Sequence, residues 1–205
     1  MDYDLDVDPA LAAAVLEIEQ HHAAGGWDQP ARLYALVDTA ELVAHEPGLA
    51  AQLGLDAPSE RGSLTPIEQE ELPAAESLEV VLEGIGWPEG VTGCAAVIER
   101  LVLPPAADGQ IPEDPIAAAE FAREHPDREE VRIVAGVTRH GATYCALRMR
   151  SQDEDAAVMG GPDLVPNLVE LLRATLTDGS DSAIMESSDP STTTDRPSTE
   201  DDLDE

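Results

Sequence analysis

The stretch EEVRIVAGVTRHGATYCALRMR, residues 129–150, decides the fold, because its alternation of apolar and polar residues predicts two antiparallel strands and a tight turn. The apolar residues of the two strands face the same side only if Val137 lies opposite Thr143. That register needs a three-residue loop, Arg139-His140-Gly141, with Gly141 in the left-handed conformation. We therefore expect a hairpin of residues 129–138 and 142–150 that packs its apolar face on the core.

The same register concentrates arginines on the outer face of the hairpin, where Arg132 lies opposite Arg148. Directly opposed like charges are destabilising unless an anionic group lies between them. One interpretation is that carboxylates of the chain neutralise the arginines, and the candidates are Glu130 opposite Arg150, Glu99 on a neighbouring strand, or an acid on a helix. The other is an anion-binding site for a carboxylate or phosphate group. Its residues would be Arg132, Arg148, Arg150 and Tyr144.

The remaining sequence predicts five helices and two further strands. Asp8 and Pro9 are typical of the start of a helix, and Gly25-Gly26 of its end. Thr65-Pro66-Ile67-Glu68 has the pattern of a capping box and predicts an additional short helix. The other elements are a strand over residues 32–38, a helix over 38–54 that Pro47 interrupts, a helix over 78–85, a strand over 94–103, a helix over 115–125 and a last helix over 163–176.

The order α-β-α-α-β-α-β-β-α predicts an α+β fold with a small, mostly antiparallel sheet and helices mainly on one face. We expect a single domain over residues 9–176, preceded by an acidic flexible lead-in over residues 1–8. Residues 177–205 hold ten acids, one arginine and 11 Ser/Thr. A segment of that composition cannot bury enough apolar surface to offset its ordering entropy, so it predicts a disordered tail.

The charge and composition exclude several functions. The 205 residues carry 43 acids and 11 basic residues, a formal net charge of -32, and all 11 basic residues are arginine. Schiff-base enzymes, P-loop nucleotidases and protein kinases need a lysine that this chain lacks. The negative charge argues against nucleic acid and anionic membranes as partners. The sequence shows no signal peptide and no apolar run that could span a bilayer, so we expect a cytoplasmic protein.

The other candidate residues predict no catalytic residue, no metal site and no cofactor. His21 and His22 do not converge on one ion, because adjacent residues of a helix point about 100° apart. His22 fits a histidine at the edge of the core. Cys94 and Cys145 fall in strands without a C-x-x-C motif, which favours two reduced, buried thiols. The chain has no G-x-S-x-G motif, and Met159-Gly160-Gly161-Pro162 fits a flexible turn.

Five blocks of the sequence together resemble a family of conserved hypothetical proteins from actinobacteria. The resemblance covers roughly residues 8–176 and leaves the acidic tail outside. It implies a bacterial cytosolic origin, and it carries over no activity and no functional residue. The blocks are GGWDQPARLYALVDTAEL, LTPIEQEELP, WPEGVTGCAAVIERLVLPP, IPEDP and GPDLVPNLVELLRATL.

These observations lead to three hypotheses about function. The first is a non-enzymatic interaction or accessory protein with a protein partner, since no catalytic constellation is recognisable and one sheet face is expected to be exposed. The second is a small-anion-binding protein or enzyme that uses the arginines of the hairpin. The third is an acidic mimic of nucleic acid that occupies the surface of a basic partner.

Overall fold

A computed structural model describes residues 7–55, 62–69 and 78–177. They form a single α+β domain around a six-stranded antiparallel sheet with strand order β2-β1-β3-β4-β5-β6. The strands are β1 Arg32–Asp38, β2 Leu64–Glu68, β3 Gly93–Val102, β4 Glu129–Thr138, β5 Thr143–Met149 and β6 Met159–Gly161. The helices are α1 Pro9–Ala24, α2 Thr39–His45, α3 Pro47–Gln52, α4 Leu78–Glu83, α5 Pro115–Glu124 and α6 Pro166–Thr177.

The central hairpin of β4 and β5 has the predicted register. Val137 pairs with Thr143, and Arg132 pairs with Arg148. Gly141 has a φ of 89°, the left-handed conformation that the three-residue loop requires. Arg139 in this loop donates to the carbonyls of Val91, Trp87, Pro88 and Leu176, and so fixes the loop to residues 87–91 and to the end of α6.

The sheet is covered on both faces, which corrects the expectation of helices mainly on one face. On one side, α4 and α6 pack on inward residues such as Cys94, Ile133 and Cys145. On the other side, α1 packs on Val134 and Ala146, the apolar residues of the supposed outer face. Strands buried on both faces carry apolar residues in both alternating sets, so the alternation alone does not identify a free face.

Gly136 allows α1 to lie close to β4. A Cβ on Gly136 would approach Val15 Cγ2 to 2.6 Å and Leu11 Cδ1 to 3.1 Å, so a larger residue fits only if the side chain of Val15 or the helix shifts. The start of α1 agrees with the sequence prediction, because Asp8 Oδ1 accepts hydrogen bonds from the amides of Ala10 and Leu11. The close packing of α1 on β4 places Glu19 of α1 against Arg148 of the hairpin.

Two short segments differ from the prediction. The capping-box residues 65–68 lie in edge strand β2, with Thr65 opposite Val37, instead of starting a helix. An edge strand tolerates Pro66, because one side of its backbone makes no ladder hydrogen bonds. Met159–Gly161 forms the other edge strand, β6, instead of a turn. Pairing with a neighbouring strand outweighs the local turn preference in both cases.

The predicted disordered tail lies outside the described residues except for Thr177, which ends α6. The predicted acidic lead-in lies outside them for residues 1–6. Both remain predictions from composition.

Candidate functional site

The side chain of Arg148 is buried and contacts three carboxylates. Its Nε donates to Glu19 Oε1 at 2.6 Å and its Nη2 to Glu19 Oε2 at 2.9 Å, a bidentate pair across the interface between β5 and α1. Only 2% of the Arg148 side chain and 3% of the Glu19 side chain are exposed. Asp155 and Asp153 add contacts of 2.7 and 3.3 Å from the rim. The hydrogen bonds to Glu19 raise the pKa of Arg148 above its ordinary value.

Arg132 is fully buried beside it. Its Nη2 donates to Glu99 Oε1 at 2.9 Å and to the carbonyl of Gly26. Its guanidinium carbon lies 4.5 Å from the ring centre of Trp27, which is a cation–π contact. Within the described ranges, Nη1 of Arg132 has no hydrogen-bond partner. Arg132 therefore ties β4 to β3 and to the loop that follows α1.

Arg150 closes the cluster at the surface. It donates to both carboxylate oxygens of Asp28, at 3.2 and 3.0 Å, and to Glu130, and these hydrogen bonds raise its pKa. Its guanidinium carbon lies 5.5 Å from the Trp27 ring. The Trp27 Nε1–H donates to Asp153 at 2.9 Å, which holds the pKa of that carboxyl below its usual range.

The fourth predicted residue, Tyr144, shares the sheet face but makes a different contact. It is half-buried, and its hydroxyl lies so close to Gly160 that a Cβ there would collide with it. The structure thus brings Arg132, Arg148 and Arg150 together on carboxylates of the chain. An external anion at these arginines would have to compete with Glu19, Glu99 or Asp28.

Sequence reasoning missed Glu19, Trp27, Asp28 and the two aspartates of residues 153–155. Glu19 and Arg148 are 129 residues apart, so no local pattern links them. Asp28 has a φ of 65°, and its amide donates to Glu99 at 2.7 Å, so the turn of residues 25–30 is folded onto the cluster. The grouping of Trp27 and Asp28 after two glycines is the one local signal of this turn.

A cleft of about 460 Å³ lies between α1 and the edge strand β2; we call it the α1–β2 cleft. Its size is in the range of sites for small organic molecules. Its polar lining residues are Glu17, His21, Tyr34 and Glu68, and its apolar lining includes Ile18 and Ile67.

Polar side chains that contact one another extend from the lining of this cleft to His22 and Gln29. Tyr34 Oη lies 2.9 Å from His22 Nε2 and 3.3 Å from Glu68 Oε2. His22 Nδ1 lies 3.0 Å from Gln29 Oε1. Burial lowers the pKa of His22, and burial together with the charge of Glu68 raises the pKa of Tyr34. Both side chains are therefore neutral at physiological pH, and His22 lies at the core edge as predicted.

Helix α5 differs from the other long helices. Within the described ranges, α1 and α6 each bury several side chains, whereas α5 buries none completely. Phe121 and the alanines beside it are half-buried, and the opposite side of α5 faces solvent. We call that side the α5 surface; its residues are Ile116, Ala119, Glu120, Arg123 and Glu124. Ile116 is 79% exposed.

The two cysteines are free and buried, as predicted. Burial raises the pKa of Cys94 to about 11, and it also raises the pKa of Cys145. Among the described residues, no group of three or more His, Cys, Asp and Glu side chains could hold a metal ion. No helix in the same ranges is long and apolar enough to cross a membrane.

The protein is thus a small α+β protein in which carboxylates of the same chain pair with the arginines of the sheet. The chain belongs to the PPA1309-like protein family, an uncharacterised family whose model matches residues 11–177. The match covers the folded part, and it confirms the resemblance to an uncharacterised family. No curated protein and no solved structure matches the chain.

Proposed function

We propose that this chain is a non-enzymatic interaction protein that binds a basic partner protein through the α5 surface. The observation that carries the proposal is the 79% exposure of Ile116 on a helix without a fully buried side chain. Complete burial of an isoleucine side chain contributes about 1.5–3 kcal/mol, so covering Ile116 would favour a complex.

The charge around Ile116 supports a basic partner. Residues 113–127 hold five acids and one arginine, and all five acids are exposed. Lys and Arg on a partner would meet opposite charge around an apolar centre, which is a common arrangement of protein interfaces. Charges at the rim would mainly raise the association rate.

Two alternatives carry less support. An anion-binding function at Arg132, Arg148 and Arg150 would require an anion to compete with carboxylates that already contact these arginines. A nucleic-acid mimic would require an acidic surface, as the leading proposal does, but it would not require an exposed isoleucine. The test below separates the leading proposal from the nucleic-acid mimic.

The experiment compares the wild type with Ile116→Ser and with Val43→Ser, a matched control on α2 whose side chain is 38% exposed. Each immobilised protein is incubated with cell extract, and captured proteins are quantified by mass spectrometry. The candidate partner is then purified, and its affinity is measured against salt concentration.

We expect Ile116→Ser to weaken the purified complex about tenfold or more, Val43→Ser to leave it unchanged, and rising salt to weaken it. Equal affinity of the two variants would contradict the proposal. So would a dimer of the chain itself that Ile116→Ser dissociates, because the occupant of the α5 surface would then be a second copy. Displacement by double-stranded DNA would support the mimic instead.

A further inference from the structure

The partners of His22 determine where the proton of Tyr34 lies. Gln29 Nε2 donates to the carbonyls of His22 and Gly26 at 2.8 and 2.7 Å, so the Gln29 Oε1 atom faces His22 Nδ1. Because Oε1 is only an acceptor, Nδ1 must carry the hydrogen. Neutral His22 then has an unprotonated Nε2, and Tyr34 donates its single hydrogen to it across 2.9 Å.

This arrangement leaves Glu68 Oε2 without the proton of Tyr34. The tyrosine oxygen lies 3.3 Å from Oε2, but its one hydrogen cannot serve two acceptors. Glu68 Oε1 accepts from Arg32 Nε at 3.0 Å, and 45% of the Glu68 side chain is exposed. Glu68 therefore presents a carboxylate oxygen with acceptor capacity to the α1–β2 cleft.

We propose that the α1–β2 cleft is a binding site for a small amphipathic amine. The ammonium group donates to Glu68 Oε2, and the negative charge of Glu17, the second carboxylate of the lining, attracts it. The hydrocarbon part of the ligand lies against Ile18 and Ile67. This site is separate from the α5 surface and does not depend on the function proposed for it.

The lining favours an amine over the other classes of small molecule. A carboxylate or phosphate ligand would be repelled by Glu17 and Glu68, and Arg32, which contacts this lining, already donates to Glu68 Oε1. A neutral alcohol would fill the apolar part and could donate to Glu68, but it would bring no positive charge to Glu17 or to the Glu68 oxygen that does not contact Arg32. A charged donor to a carboxylate forms a stronger hydrogen bond than a neutral one.

The test uses three probes of equal chain length: hexylamine, hexanol and hexanoate. Binding to the full chain is measured by calorimetry and by NMR shifts of the isoleucine methyl groups. We expect hexylamine to bind with shifts at Ile18 and Ile67, and to bind about tenfold or more tightly than hexanol, with no binding of hexanoate. Equal binding of hexylamine and hexanol would overturn the assignment to amines.

Variants separate the cleft from general attraction to an acidic protein. Glu68→Gln removes the charge but keeps the side-chain shape, and Glu17→Gln does the same at an exposed position of α1 that tolerates change. Glu170→Gln, exposed on α6, is the matched control. We expect both cleft variants to weaken hexylamine binding, with about a tenfold loss for Glu68→Gln, and the control to leave it unchanged. Equal losses in all three variants, or no loss in either cleft variant, would overturn the proposal.

Discussion

The buried pair of Arg148 and Glu19 gives the sharpest prediction for stability. Replacing Arg148 with methionine keeps an apolar chain in the same space but removes both donors to Glu19, whose side chain is only 3% exposed. Water cannot readily compensate that carboxylate, so the folded state retains a buried group without its partner. Removing one member of a buried ion pair costs about 3–5 kcal/mol, and we expect Arg148→Met to lose that much stability.

The structure supplies a second variant and a control. Replacing Glu19 with leucine in the Arg148→Met background should restore most of the stability, because an apolar pair often replaces a buried ion pair without loss. Arg150→Met is the control, since this arginine also contacts two carboxylates but is 40% exposed. We expect its loss to be a small fraction of the loss at Arg148, since exposed ion pairs contribute little.

Urea unfolding, followed by far-ultraviolet circular dichroism and tryptophan fluorescence, measures these free energies of unfolding. If Arg148→Met is too unstable to fold, the double variant still gives a measurable value. A loss below about 1 kcal/mol for Arg148→Met would refute the reasoning. A double variant that is no more stable than Arg148→Met would refute it as well.

Three further predictions test other parts of the fold. Gly136→Ala should cost about 1–3 kcal/mol in the same unfolding assay, because the added methyl group would overlap Val15 of α1; unchanged stability would mean that α1 is not held so closely. Cys94, whose pKa burial raises to about 11, should react slowly with a thiol reagent in the native state and quickly in urea, and fast native labelling would show that the strand is accessible. Burial lowers the pKa of His22 from 6.5, so the unfolded state binds more protons and stability should fall as the pH drops through that value. His22→Gln should reduce this pH dependence, and an equal slope in the variant and the wild type would contradict the assignment.

The hairpin could be predicted from sequence because its determinants are local. The alternation of apolar residues sets the faces of β4 and β5, and Gly141 sets the length of the loop. Together these give the opposition of Arg132 and Arg148 without knowledge of the rest of the chain. The starts of α1, α2 and α5 were predictable for the same reason. Each depends on an aspartate whose side chain accepts hydrogen bonds from the backbone amides two and three residues further along the chain.

The rest depends on contacts that local patterns do not contain. The TPIE segment has the pattern of a helix start, but pairing with β1 makes it a strand. The apolar residues Val134 and Ala146 on the second face were a signal that this face would be covered, but nothing local specifies that α1 covers it. The α1–β2 cleft likewise depends on distant segments, because α1 carries Glu17 and β2 carries Glu68, more than 40 residues further along the chain.

The central claim is that carboxylates of the chain, and not a bound anion, neutralise the sheet arginines. The most direct test is the melting temperature of the wild type in phosphate and in chloride at equal pH and ionic strength. Because Glu19, Glu99 and Asp28 already occupy the arginines, we predict the same melting temperature in both salts, within about 1 °C. A rise of several degrees specific to phosphate, absent in Arg132→Met, would contradict the claim and identify an anion site.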